Sequence, residues 1–338
     1  MPIRYRPFHE RLAPAPREAC FALADYWVWC GSAVRGDDGR CHLFAARWPR
    51  RLPMFEGYIS HSEVVRAVAD SPRGPFRFAE VVLADRGPRY WDGRMTHNPT
   101  VLKWRDRYLL FYIGATFDGP KLSAEELRRG AAERTGEIYR TIRIGLATAR
   151  SPEGPWERRE APVLDVRPAR WDRSVTTNPA PCLAPDGRLL LYYRSNTPQG
   201  CRIGVAAADT PDGPFARLRD EPILSDCHIE DPYVFWMRDH YELLAKDLSG
   251  DVTGELGAGV HAVSENGMDW QLADPPKAYS RTIAWSDGGG ETLGSLERPQ
   301  LLFEDGEPAY LFAAAADGPG GFRKAMRTWN QVIPLKRT

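Results

Sequence analysis

THNPTVLKWRDRYLLFYIG (Thr96–Gly114) is followed by looser copies of itself: TTNPAPCLAPDGRLLLYYR (Thr176–Arg194), IEDPYVFWMRDHYELLAK (Ile229–Lys246) and LERPQLLFEDGEPAYLFAA (Leu296–Ala314). Each reads as a polar pair, a proline, a short apolar strand, a polar turn and a second strand. A degenerate first copy is ADYWVWCGSAVRGDDGRCHLFAARW (Ala24–Trp48). With Asp25, Asn98, Asn178, Asp231 and Arg298 taken as equivalent points, the units return at intervals of 53–80 residues. Self-similarity on this scale marks a repeat architecture.

A turn motif closes the first four units: SPRGPF (Ser71–Phe76), SPEGPW (Ser151–Trp156), TPDGPF (Thr210–Phe215) and the looser SENGMDW (Ser264–Trp270). Ser or Thr opens the turn, Pro presets φ, Gly takes the conformation other residues resist, and an aromatic packs as the next strand begins. Small-residue strands (RAVAD, IGLATAR, IGVAAAD, GVHAV) stand ahead of the turns. Five units of about four strands predict an all-β chain, a five-bladed β-propeller forming one catalytic domain over residues 1–338. Trp91-Asp92 and Trp171-Asp172 each precede an Asn-Pro by seven residues, and Trp285 introduces the fifth unit. The segment Asp118–Arg140 breaks the pattern with helix-forming composition. Ser123 is its expected N-cap and Glu126 the capping-box partner, which makes it a helical insertion in the second blade. A lid or a homo-oligomer contact could be built from it; a solvated decoration is the simpler reading.

Composition removes several functions. Among 338 residues, Lys plus Arg equals Asp plus Glu at 45 each, so the chain has no excess charge for a polyanion such as nucleic acid. No apolar run reaches the roughly 20 residues of a membrane helix, and the first twenty residues lack a signal-peptide core. A cytoplasmic protein is therefore expected. Cys20, Cys30, Cys41, Cys182, Cys201 and Cys227 form no CxxC pair, which suits buried thiols and not a metal site. No cofactor is expected. A divalent cation on the propeller axis would be compatible with the fold, yet no ligand spacing announces one.

In a propeller the innermost strands begin at one end of the axis, and the second strands return there. Asp25, His97 with Asn98, Thr177 with Asn178, Glu230 with Asp231, and Glu297 with Arg298 stand at the starts. Arg47, Arg194 and Lys246 stand at the returns. Carboxylates from three blades thus meet at one mouth, the arrangement that cleaves a glycosidic bond with one acid protonated and another ionised. Mutual repulsion and burial separate their pKa values. Asp25, Asp231 and Glu297 are the catalytic candidates. His97 reads as a proton donor, a substrate contact or a structural histidine. Asn98 and Asn178 would bind hydroxyls or cap strands, and Trp27, Trp29 and Trp285 would offer an aromatic floor to the apolar face of a sugar.

At these residues the chain resembles the five-bladed glycoside hydrolases of families 43 and 117, through its blade repeat from about Asp25 to Ala316. The resemblance implies that Asp25 is similar to the family base. It also implies that Asp231, in Glu230-Asp231-Pro232, matches the Asp that tunes the acid, and that Glu297, in Glu297-Arg298-Pro299, matches the acidic Glu. Family 43 carries its acids on the second and third blades, where this chain has Asn98 and Asn178. Family 117 uses a histidine upstream of its last-blade Glu, where GGGETLGS (Gly288–Ser295) offers only Glu291. The proton donor is thus Glu297, Glu291 or His97. The implied activity is an exo-acting, inverting hydrolysis of a short oligosaccharide, with Asp25 activating water across roughly 6.5–9.5 Å. Phosphorolysis on the same fold, with phosphate held by Arg47, Arg194, Lys246 and Arg298, and a catalytically inactive carbohydrate-binding propeller are the alternatives.

Overall fold

The protein is described from a computed structural model covering residues 3–318 and 320–337. Five four-stranded antiparallel sheets surround an axis, and in blades two to five the innermost strand contains the repeat's polar pair near its start. Blade one is Tyr26–Arg35, Cys41–Pro49, Glu63–Ala69 and Arg77–Leu83, and blade two runs from Met95–Trp104 to Glu157–Arg158. Blade three runs from Thr177–Leu183 to Ala216–Arg217, and blade four from Ile229–Met237 to Gln271–Tyr279. First strands of neighbouring blades pack side by side all the way round, including the last against the first. This is the five-bladed propeller that the repeat predicts.

Blade five is completed from the other end of the chain. Ser295–Glu304, Glu307–Ala316 and Thr328–Pro334 supply three strands, and Cys20–Phe21 adds the fourth by pairing antiparallel with the last. Closing the ring with both chain ends ties blade five to blade one and protects strand edges that would otherwise be left open.

Each first strand contains the same irregularity. Pairing with the second strand slips between Trp29 and Ser32, His97 and Thr100, Thr177 and Ala180, Glu230 and Tyr233, and Glu297 and Gln300. Inside each slip one residue takes a left-handed φ: Cys30 (58°), Asn98 (50°), Asn178 (51°), Asp231 (58°) and Arg298 (58°). A bulge of this kind re-aims a side chain. The blade-one equivalent is therefore Cys30, five residues beyond Asp25. Gly31 stands where the other four blades have proline, and that substitution hides the correct register in the sequence.

Two further repeat features explain themselves. In the turn motif, Gly74 (φ 79°), Gly154 (φ 90°) and Gly213 (φ 77°) all use the conformation that glycine reaches without penalty. Asp92 and Asp172, fully buried, accept hydrogen bonds from Tyr112 (2.7 Å) and Tyr193 (2.8 Å) and are paired with arginines. Trp91 and Trp171 stack on those same tyrosines. The Trp-Asp echo is thus a blade latch.

The insertion forms two helices, Ala124–Arg128 and Ala132–Arg140, and the expected capping box is present: Glu126 N donates to Ser123 Oγ (3.2 Å) and Ser123 N to Glu126 Oε2 (2.7 Å). Leu122, Leu127 and Ile138 are buried in the core, so the segment is an integral wall and not a solvated decoration. No helix among the described residues is long and apolar enough to cross a membrane. All six cysteines are unpaired. Phe21, 1% exposed, is the apolar anchor of the closing strand. Phe21→Ala is expected to cost about 3–5 kcal/mol, read as a lowered urea midpoint; an unchanged midpoint would show that the N-terminal strand does not hold the ring closed.

Candidate active site

The five bulge residues touch one another around the axis. Cys30 Sγ donates to Asn98 Oδ1 (2.9 Å), Asn98 Nδ2 donates to Asn178 Oδ1 (3.0 Å), and Asn178 Nδ2 donates to Asp231. Arg298 Nη1 donates to Asp231 Oδ1 from the far side (3.1 Å), and its guanidinium lies against the Cys30 thiol. One side chain from each blade thus contributes to a closed ring. Above it opens a pocket of about 460 Å³.

One side of the pocket is aromatic. Trp29 and Trp48 come from blade one, Phe55 and Tyr58 from the helix Met54–His61, and Tyr139 from the insertion. Tyr58 stacks on His97 with ring centroids 4.7 Å apart. His97 is held by Ser62 through Nδ1 (2.7 Å), and burial lowers its pKa to about 3, so the imidazole is neutral at physiological pH. This makes it an orienting group and a poor proton donor.

The rest of the lining carries charge. Glu230, Asp231 and Glu297 each place a carboxylate oxygen within 4.8 Å of the others. Lys246 donates to Glu230 Oε1 (3.3 Å) and to Glu297 Oε2; Arg194 donates to Glu230 Oε2 (2.9 Å). Burial pushes the Glu230 carboxyl up, but Lys246 and Arg194 outweigh it and hold the group below its ordinary value. Asp231 moves the other way: burial first, then the neighbouring Glu230 and Glu297, raise it to about 6 despite Arg298. Glu297, 4% exposed, leaves Oε1 without a hydrogen-bond partner among the described residues. An acid raised toward neutrality therefore lies beside a second acid with an open oxygen, and such unlike neighbours are what acid–base chemistry requires.

These three carboxylates are also the group among the described residues with metal-ligand proximity. Their fit to a divalent cation is poor, because Lys246 already lies against two of them and Arg298 against the third. The protein supplies the positive charge itself.

Several sequence expectations are corrected. Asp25 lies in an exposed turn before the first strand, where its backbone carbonyl accepts from Arg50 N (2.9 Å), and it does not line the pocket. The inverting reading thereby loses its base. Trp27 points away and donates to Leu52 O (2.9 Å). Arg47 pairs with Glu63 at the blade's outer part. Trp285 and Glu291 sit together in a separate depression, bonded at 3.1 Å and covered by Arg17; Glu291 is thus no proton donor for this pocket. His97, Asn98, Asn178, Arg194, Glu230, Asp231, Lys246, Glu297 and Arg298 do meet there. Trp48, Phe55, Tyr58, Tyr139 and Asn196 come from outside the repeated strand starts, where the repeat carries no signal, and Cys30 occupies the blade-one bulge five residues beyond Asp25.

No family model matches the chain, and no curated protein matches its sequence. Solved structures do. A family 117 glycoside hydrolase of the marine bacterium Zobellia galactanivorans superposes with a TM-score of 0.64 at 15% identity, covering 96% of this chain and 88% of that one. A family 43 β-xylosidase/α-arabinofuranosidase from a compost microbial metagenome, in complex with xylotriose, gives 0.61 at 17%, covering 96% of both. The arabinanase of Bacillus subtilis gives 0.56 at 12%, covering 94% and 97%. The chain therefore has the fold of the five-bladed propeller glycoside hydrolases.

Lys246 keeps two buried carboxylates from facing each other uncompensated. Lys246→Met is expected to lower stability by about 3–5 kcal/mol at pH 7. The deficit should shrink in acid: Lys246 helps hold the Glu230 carboxyl below its ordinary value, so its contribution is present at neutral pH and is lost as Glu230 gains a proton. Urea titrations at pH 7 and pH 4.5 measure it; a deficit that stays constant or grows in acid would contradict the pairing.

Proposed function

We propose that the protein is a glycoside hydrolase that releases a terminal sugar from a short oligosaccharide. The observation that carries this reading is the buried carboxylate cluster of Glu230, Asp231 and Glu297 beneath an aromatic wall, one acid raised to about 6 and another with an open oxygen. Trp29 and Tyr58 would receive the apolar face of the ring. Asp231 would protonate the leaving oxygen. Glu297, its other oxygen held by Lys246, would attack the anomeric carbon through Oε1 as the leaving group departs; water, deprotonated by the now ionised Asp231, would then cleave the resulting ester and free the sugar. The exo reading is supported by the walls that the insertion and the helix Met54–His61 raise around the pocket. With six unpaired cysteines, the protein suits a reducing cytoplasm.

The spacing bears on stereochemistry. Asp231 and Glu297 bring one carboxylate oxygen each to within 4.8 Å, an approach that suits the roughly 5–5.5 Å between carboxyl groups of a retaining pair better than the roughly 6.5–9.5 Å that leaves room for an activated water. Retention thus replaces inversion in the proposal, and the first product observed by ¹H NMR is expected to keep the substrate's anomeric configuration. An inverted first product would remove the nucleophile role from Glu297.

One observation favours phosphorolysis as a second reading. Arg298 leaves Nε and Nη2, and Arg194 leaves Nε, without acceptors among the described residues, so donors for an oxyanion are at hand. A phosphate nucleophile would also need only the acid and no base. Turnover that requires inorganic phosphate and yields a sugar 1-phosphate selects this reading; phosphate-independent release of the free sugar selects hydrolysis.

On a panel of aryl glycosides and short oligosaccharides, kcat/KM is expected to fall above about pH 6 as Asp231 loses its proton, roughly tenfold per unit. Asp231→Asn should abolish that limb and Glu297→Gln should reduce kcat at least about a thousandfold. Asp25→Asn and EDTA should change nothing. A pH-independent rate through pH 8, or a Glu297→Gln variant with near-normal kcat, would defeat these assignments.

A further inference from the structure

Tyr139 stands on the second insertion helix, outside the blades' innermost strands, and its hydroxyl lies at the pocket beside the charged residues. Arg194 Nη2 donates to that oxygen at 2.6 Å and Asn196 Nδ2 donates at 3.1 Å. The Asn196 orientation is fixed by its other end: Oδ1 accepts from the Cys201 thiol (3.6 Å), whose sulfur accepts from Arg194 Nη1 (3.1 Å). A phenol oxygen has two lone pairs and one proton. Both lone pairs are engaged by donors that have nothing to accept with, so the proton is what remains. It has no acceptor among the described residues, and the side chain is only partly covered.

We infer that Tyr139 is a substrate-binding hydrogen-bond donor, delivering its phenolic proton to a hydroxyl or ring oxygen of the sugar in the pocket. The inference rests on the glycosidase reading and deepens it, because it makes the insertion a determinant of which sugar fits. Arg194 is the pivot. It bonds Tyr139 with one nitrogen and Glu230 with the other (2.9 Å), so the hydroxyl is placed in register with the carboxylate cluster. Because a cation donates to its oxygen, the phenol is polarised in the direction that strengthens its own donation. A site that commits such a donor discriminates against a sugar lacking the matching oxygen, since the proton, covered by the bound ring, is then left unpaired.

Simple removal of the hydroxyl would not separate this role from a structural one, as Tyr139→Phe also leaves Arg194 and Asn196 without their acceptor. The decisive experiment is a cycle between enzyme and substrate. The aryl glycoside that the wild type turns over best is compared with its monodeoxy analogues, each against wild type and Tyr139→Phe. At one ring position the deoxy analogue is expected to lose roughly tenfold in kcat/KM with the wild type and almost nothing with Tyr139→Phe, the loss lying mainly in KM. Deoxy penalties that are equal in the two enzymes at every position would overturn the contact while leaving the glycosidase reading intact. A wild type that turns over no glycoside in the panel would sink that reading. The same cycle is then read as binding of monosaccharides by calorimetry, where absence of binding, or identical deoxy penalties, overturns the contact as well.

Discussion

Five left-handed bulge residues, one per blade, lock the molecule around its axis. A bulge with φ near 50–58° turns each side chain out of the strand's ordinary alternation and toward its neighbours. The resulting run from Cys30 through Asn98 and Asn178 to Asp231 and Arg298 is mostly donor to acceptor in one direction, with Arg298 completing the ring on Asp231. Asn and Asp take this backbone region more readily than other residues with a side chain, which accounts for three of the five. Cys30 and Arg298 take it at a cost that the contacts they make offset.

The ring also determines the electrostatics above it. Asp231 is a member, so its carboxylate is pinned between an amide and a guanidinium while two further carboxylates crowd it. Three acids and three cations (Arg194, Lys246 and Arg298) share a small buried volume. Pairing keeps the assembly near neutrality, but the pairing is uneven. Glu230 has two cationic partners and Glu297 has one, while Asp231 keeps Arg298 and carries the repulsion. Unequal pairing among chemically similar groups is how a site acquires both a protonated and an ionised acid at one pH.

Legibility of the site in the sequence followed the repeat. Asn98, Asn178, Asp231 and Arg298 were found because each is followed by proline at the same point of its unit. In blade one the degenerate copy from Ala24 offers Asp25 as the equivalent point. The bulge falls instead at Cys30, before Gly31, where neither residue resembles its counterparts. The aromatic wall was illegible for a different reason. Tyr58 and Tyr139 reach the pocket from helices between strands, and nothing in their local sequence says where those helices dock. Trp285 and Glu291 failed in the opposite sense, being near the fifth unit in sequence but on a ribbon that folds outward to Arg17.

By itself the sequence determined the number of blades, the strand starts that converge, the helical character and capping of the insertion, and the presence of Glu230, Asp231 and Glu297 at one mouth. These follow from short-range rules of turn chemistry and alternation, which act on residues close together along the chain. Only the tertiary structure decided which acid is crowded into keeping its proton, which cation serves two carboxylates, and that the blade-one position at the axis holds a thiol. It also decided that the chain's first strand closes its last blade. Those outcomes depend on distances between groups tens to hundreds of residues apart, and pKa shifts and pairings vary so steeply with such distances that no local pattern encodes them.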